Sequence, residues 1–397
     1  MEIGGAWRSL VAHLYGVQGV AGSNPVAPIS NFFCFAALFA IAFAAFFAYP
    51  IAHSETVEIT GVMNSSVNFE DDISITVPAA IRTLTVAIPT PTNTQVFGYT
   101  QTLGIVSVVS SRPPDQTHTD TDRLGNKYTV DDFKNPAPGS ITFTVTVTPV
   151  KIEVDLQTPL PSAEVDPHTL PSDIAEYLKP TDLVQCDDPQ IAAVAQQFLV
   201  GTLDEATVAS RIQEYLQRTI SYNAGNGDAP DDALYVLRHK NSLCDGWAHL
   251  FLALARADGL AARFVGGYNL GGDINYPIDQ GGRSTLTVSS AGEPHSWVEV
   301  WFPTVGWVPF EPQASAGFVD SHHLTVWVGA DSDSVNSILS WTSSLAGDEN
   351  IPVTETENPT QLSDHINVTY RDSDAGPAGF TTLARRSQLG AGGDSKL

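Results

Sequence analysis

With 397 residues the chain is long enough for two or three domains, and 43% apolar residues can supply their cores. Its 19 basic and 44 acidic residues leave a formal charge of −25, which repels nucleic acid and anionic membrane surfaces and excludes both as partners. Three cysteines, Cys34, Cys186 and Cys244, are too few for a disulfide framework; the alternatives are one Cys186–Cys244 bridge or a free, reactive Cys244.

Residues 1–30 carry GVAGSNPVAP, which resembles the translated 3′ part of a transfer-RNA gene, and read as a leader from a mis-assigned start. Within 31–52 the run Phe32–Ala48 is apolar and free of charge, between the length of a signal-peptide core and that of a minimal span. It predicts an export signal or an N-terminal membrane anchor. Over 53–155, segments such as Ile73–Pro78, Leu84–Ile88 and Ile141–Val147 cluster or alternate β-branched residues between turn residues. That pattern predicts a β-sandwich. Its Asp71-Asp72 and Asp131-Asp132 pairs read as solvated turns, because no calcium-loop spacing surrounds them. Residues 156–188 are a Pro- and Asp-bearing linker with a short helical patch at Ile174–Leu178.

From Pro189 the texture turns helical. Ile191, Val194, Ala195, Phe198 and Leu199 share one face, and Asp204 caps a second helix running to Ile220. A third helix, Asp231–Arg238, leads into Asn241–Gly259, a helix buried on most of its circumference. Asn241 or Ser242 caps that helix and Gly259 closes it. Cys244 falls in its first turn, where free N–H groups and the helix dipole favour a thiolate. Strands follow at Ala261–Tyr268 and His295–Phe302, then a turn and Trp307–Glu311. A fold-back at residue 303 sets His295 and Glu311 opposite or nearly opposite each other. A nucleophile, a base and an orienting acid thus come together. Trp297 and Trp301 share the His295 face as cleft walls or core packing, and Glu299 is a substrate contact or a wet edge.

The order Cys on a helix, RFVGGY, HSWVEVW and GWVPFEP resembles the transglutaminase-like (papain-like cysteine) superfamily over roughly Gln190–Gln313. The resemblance implies a catalytic domain over 189–330 and an α+β, papain-like/transglutaminase-like core of helices followed by a small antiparallel sheet. It further implies Cys244 as nucleophile, His295 as general base and Glu311 as orienting acid, where the family more often has Asp. Tyr222 stands where the family often has a tyrosine; ordinary packing is the alternative. No metal or other cofactor is called for, since the adjacent His322 and His323 of a strand point to opposite faces. Residues 331–397 read as a small β-bearing and disordered tail.

The function expected is an exported thiol acyl-transfer enzyme acting on peptide or protein amides through a thioester. The alternatives are a protein-glutamine transamidase and a non-catalytic exported binding or adhesion protein. The glycine-rich segment Asn269–Pro294 reads as an open flap that admits water, which favours hydrolysis over crosslinking.

Overall fold

The computed structural model describes residues 56–161, 163–222, 231–278, 284–313, 318–334, 339–343, 351–372 and 380–383. The expected leader and the apolar run with Cys34 lie outside them. Among the described residues no helix is long and apolar enough to cross a membrane. The fold is α+β.

Period-two alternation builds the N-terminal half. Strand β1 (Thr56–Val77) buries every second residue from Met63 to Val77. After it come β2 (Ile81–Thr90), β3 (Thr94–Val96), β4 (Tyr99–Ser110), β5 (Gln116–Thr121), β6 (Lys127–Lys134) and β7 (Gly139–Asp155). Antiparallel pairing joins β4 to β7 and β7 to β1, while β2, β6 and β5 form a facing sheet. Ile73, Ile75, Ile141 and Phe143 meet Leu84, Val86, Ile88 and Phe133 between the two sheets, which makes the β-sandwich. Strand β5, QTHTDT, is exposed at every residue, so no hydrophobic alternation announces it. The acidic pairs expected as solvated turns are inside strands. Asp71 in β1 and Asp131 in β6 are buried, and Asp131 accepts from the Thr117 hydroxyl at 2.7 Å.

The same strands run on past the sandwich. Met63, Val67 and Phe69 of β1 and Val150, Ile152 and Val154 of β7 pack into the core that holds the helices. Residues 56–155 therefore close a core of their own and also wall a second one. A short 3-10 turn at Ala175–Leu178 precedes α1 (Pro189–Ala195), α2 (Glu205–Thr219), β8 (Ser221–Tyr222), α3 (Ala233–His239), β9 (Asn241–Ser242) and α4 (Cys244–Ala257). Asp188, Asp204 and Asp232 each accept a backbone N–H from the helix they precede. Every residue of α4 from Cys244 to Arg256 is buried. Gly259, at φ +90°, lets the chain turn so that the Leu260 N–H reaches the Ala255 carbonyl at 2.9 Å.

Strands β10 (Ala262–Ile278), β11 (Ser284–Phe302), β12 (Gly306–Phe310) and β13 (His323–Gly329) then pair antiparallel in the order β13-β10-β11-β12. The expected open flap Asn269–Pro294 belongs largely to the far end of the β10–β11 hairpin, paired from Asn269↔Glu293 to Ile278↔Ser284. Ladder bonds need no side chain, so Gly271 and Gly272 at φ +73° and +94° do not end the hairpin, and Leu270 and Ile274 anchor it by burial.

The C-terminal strands have no sheet of their own. Strand β14 (Leu339–Ser343) extends the facing sheet beside β2, β15 (Val353–Glu357) and β16 (Thr360–Asp372) line the edge of β1 opposite β7, and β17 (Phe380–Leu383) pairs with Thr56–Ile59 on the other edge, which β7 leaves open before Val62. A long strand with an unpaired edge attracts such segments, since its N–H and C=O groups need partners. The other residues beyond Asp372 are not among those described.

Candidate active site

Cys244 is the first residue of α4. Leu243 precedes it and offers no capping oxygen, which leaves the first-turn N–H groups without a side-chain cap. The expected caps Asn241 and Ser242 are instead paired with Ser221 and Tyr222, in the two-stranded ladder of β8 and β9. Cys186 and Cys244 are both free thiols, so the bridge alternative falls away. Cys244 is only 3% exposed. Burial, then the Asp245 charge, push its thiol well above the ordinary value; Glu293 and Glu311 add to the rise and the Ser296 hydroxyl opposes it. These surroundings favour the thiol and oppose the thiolate expected from the helix start. A helix N-terminus carries only about half a positive charge, less than three nearby carboxylates supply in the opposite sense.

His295 lies on β11 and Glu311 just beyond β12. The hairpin register sets Val298 opposite Phe310, so Glu311 comes level with Trp297 and not with His295. His295 is two residues along on the same face, and the longer glutamate side chain spans that offset. His295 Nε2 and Glu311 Oε2 are 2.7 Å apart, with Glu311 1% and His295 8% exposed. The other carboxylate oxygen accepts the Gln313 N–H at 2.8 Å, and the Gln213 side-chain amide of α2 donates to the Glu311 carbonyl at 2.9 Å. Burial alone would push the Glu311 carboxyl up. The charges and hydrogen bonds of His295 and His323 outweigh it and hold the group well below the usual carboxylate range.

A second contact links the helix of Cys244 to the strand of His295: the Ser296 hydroxyl donates to Asp245 Oδ1. Trp297 is 1% exposed and tilts against the His295 ring at 6.1 Å between centroids. Trp301 packs on Trp307 instead. Glu299 is buried and engaged by Arg263 at 2.6 Å, which excludes it as a free substrate contact. Tyr222 is 43% exposed, so it is no packing aromatic. Partial burial first, then the Glu293 charge and the neighbouring Cys244, push its hydroxyl pKa up, which sets it at the edge of the site.

The histidine doublet divides as adjacent strand residues should. His322 Nε2 stands 3.1 Å from Asp364 Oδ2, whereas His323 turns to the site, with Nε2 3.1 Å from Glu311 Oε2 and Nδ1 2.7 Å from Asp320 Oδ1. Sequence reading weighed the doublet only as a metal site. The signal it held was Asp320 three residues earlier; the link to Glu311 arises only when β13 docks on β10. His295, Glu311 and His323 each present one nitrogen or oxygen within 4.8 Å of the others, a spacing their mutual hydrogen bonds account for. Asp71, Glu355 and Glu357 form a second such cluster, away from the thiol.

Comparison with known proteins fits this geometry. Residues 192–312 match the model of the transglutaminase-like superfamily. A Bacillus subtilis protein named YebA is 33% identical over 120 residues, 29% of this chain and 16% of that protein. A protein-glutamine gamma-glutamyltransferase of Pseudomonas aeruginosa is 31% identical over 130 residues, 32% of this chain and 18% of that protein. The matched stretch thus spans less than a fifth of either relative. The crystal structure of a candidate cysteine protease from Cytophaga hutchinsonii superposes with a TM-score of 0.51 at 14% identity, over 81% of this chain and 95% of that one. The likeness is one of fold.

Proposed function

Because the chain carries a transglutaminase-like superfamily domain, we propose that it is a thiol acyl-transfer enzyme acting on peptide or protein amides, with Cys244 as nucleophile, His295 as general base and acid, and Glu311 as orienting acid. The observation that carries this reading is the 2.7 Å contact between His295 Nε2 and buried Glu311, on a strand bonded to the helix that begins with Cys244. With Nε2 committed to Glu311, Nδ1 is the nitrogen that works on sulfur.

The thiol proton passes to His295 Nδ1 as Sγ attacks the amide carbonyl. The uncapped N–H of Cys244 is the first donor to the oxyanion. His295 then gives its proton to the leaving amine, and a thioester remains. Water, deprotonated by His295, attacks the thioester; the carboxylic acid leaves and Sγ regains its proton. Glu311 keeps Nε2–H in place and balances the imidazolium that forms twice in each cycle.

Water is the proposed acceptor. Glu293, whose charge acts on the thiol, is only partly covered and Tyr222 is exposed, so the described rim carries no apolar lid over the thioester. Transamidation is the second reading: the acidic Glu293 beside the thiol suits a lysine amine, and one relative is named a glutamyltransferase. The apolar run at residues 32–48 supports export or N-terminal anchoring outside the cytoplasm.

Incubating a glutamine-bearing peptide with excess primary amine separates the two readings. Cleaved or deamidated product that Cys244→Ala abolishes is the expected result; dominant amine incorporation overturns hydrolysis. Glu311→Gln should lower kcat by about three to four orders of magnitude. Activity that survives Cys244→Ala or His295→Ala overturns the enzyme reading itself.

A further inference from the structure

His323 opens β13 at 3% exposure, between two carboxylates. Its Nε2 is 3.1 Å from Glu311 Oε2, the same oxygen that meets His295, and its Nδ1 is 2.7 Å from Asp320 Oδ1. A neutral imidazole has one N–H and one lone pair. One of the two contacts would then set a lone pair against a carboxylate oxygen, and only the imidazolium satisfies both. The surroundings hold it there. The Tyr99 hydroxyl of β4 donates to the His323 carbonyl at 2.6 Å, and Gln101 brackets Thr325, donating to its carbonyl and accepting from its N–H, each at 2.8 Å. Asp320 Oδ1 also accepts the His322 N–H at 2.9 Å, and the Trp297 ring stands edge-on to the His323 ring at 5.2 Å.

We propose that His323 is a positioning residue for the triad: a buried imidazolium, clamped between Asp320 and Glu311, that fixes the Glu311 oxygen under His295 and offsets part of its charge. The inference rests on the triad reading above. His323 donates to the same Glu311 oxygen that meets His295, so it both fixes that oxygen and offsets its charge. Without His323 the Glu311 charge would act on His295 uncompensated, drawing a proton more strongly onto that ring and opposing its return to substrate. Burial acts to lower the His323 pKa, and the two carboxylates outweigh it and raise the pKa to about 10. The remaining titratable groups around the pair are Cys244 and Asp245 from α4, Glu293 from β11, His322 beside Asp320, and Tyr99 from β4. Among these only His322 can add positive charge, and its Nε2 faces Asp364 and not Glu311, so it does not take over the part of His323.

The test is histidine-selective 15N NMR of the full chain between pH 5 and pH 9, with His295 identified by the resonances that His295→Ala removes. In wild type, a second ring should keep both nitrogens protonated through this range, and His323→Gln should abolish its signal. In that variant the His295 titration should move up by about one unit. Its kcat should fall about 10- to 100-fold at nearly constant KM. A purely structural role would lower the folded fraction without moving the His295 titration. Asp320→Asn provides a second route if His323→Gln does not fold: it leaves the ring in place and should bring the His323 titration down into the measured range. A His323 ring that is neutral at pH 7 in wild type, or a His295 titration unmoved in folded His323→Gln, overturns the proposal. Failure of the triad reading shows separately, as activity retained in His295→Ala.

Discussion

The Ser296 hydroxyl donates to Asp245 Oδ1, joining the residue after His295 to the residue after Cys244. Both groups are buried, at 1% and 3% exposure, so the bond is shielded from water. It fixes the start of α4 against β11, the two elements that carry Cys244 and His295. A hydrogen bond to a charged group contributes about 1.5–3 kcal/mol. Ser296→Ala should therefore lower kcat/KM about 10- to 100-fold with the far-ultraviolet circular dichroism unchanged. Wild-type turnover in that variant would show that the alignment comes from elsewhere.

The thiol's surroundings make its reactivity depend on pH in a definite direction. Burial first, then Asp245, with Glu293 and Glu311 adding, keep the proton on Cys244. Alkylation by iodoacetamide should accordingly accelerate as pH rises, with no fast thiolate phase in acid. Glu293→Gln removes one negative neighbour, so the thiol pKa falls and the alkylation profile shifts to lower pH, by about half a unit to one unit. A profile that stays put, or moves to higher pH, would mean that Glu293 does not act on the sulfur.

A second pH dependence belongs to stability. Asp71 of β1 lies opposite Glu357 of β15, with Glu355 on the same face. The Tyr268 hydroxyl of β10 is 2.8 Å from Asp71 and 2.6 Å from Glu355 and has one proton to give, so a carboxyl proton must serve the other contact. Burial raises all three carboxyls, with their mutual repulsion contributing, and brings Glu357 to about 7. A carboxyl whose folded pKa is raised stabilises the fold fully below its unfolded pKa, and that contribution is lost as pH rises through the folded value. Urea midpoints should thus fall between about pH 4 and pH 7, and Asp71→Asn should flatten that slope. A slope equally steep in Asp71→Asn would remove this cluster as its source.

Gly267 pairs with His295 while β13 crosses close on its other side. A Cβ at this position would collide with the Leu324 carbonyl and come 2.9 Å from the Trp297 ring. The strand that carries His323 would have to move away. Gly267→Ala should cost about 1–3 kcal/mol in chemical denaturation, a typical overpacking loss, and should reduce activity in the protein that remains folded. Unchanged stability would show that β13 shifts without strain.

The local pieces were legible because their causes are local. Asp204 accepts from the Thr207 N–H three residues on, so a cap can be read from spacing alone. The apolar density of Trp247–Ala255 announces a buried helix whatever it packs against, and the alternation of Ile141–Val147 announces a strand with one wet face. The candidate site was legible for a related reason: Cys244 lies at a helix start, and a tight hairpin brings His295 and Glu311 together within 16 residues. Strand β5 was not legible, because an exposed edge strand carries no apolar signal.

By itself the sequence determined the α+β class, the Asp204 cap and the Gly259 stop, and pointed to the three residues proposed as the triad. Each of these depends on neighbours a few residues apart, or on one short hairpin. Only the tertiary structure decided the rest. It carried β1 and β7 past the sandwich to wall the helical core, and laid β15, β16 and β17 along β1 from some 280 to 330 residues away. It also brought Asp320 and His323 under Glu311 and surrounded Cys244 with carboxylates that reverse the pull of its helix. Edge pairing depends on which N–H and C=O groups are left open, and a pKa depends on charges within a few ångströms. Neither has a period along the chain, so both are settled only when distant segments meet.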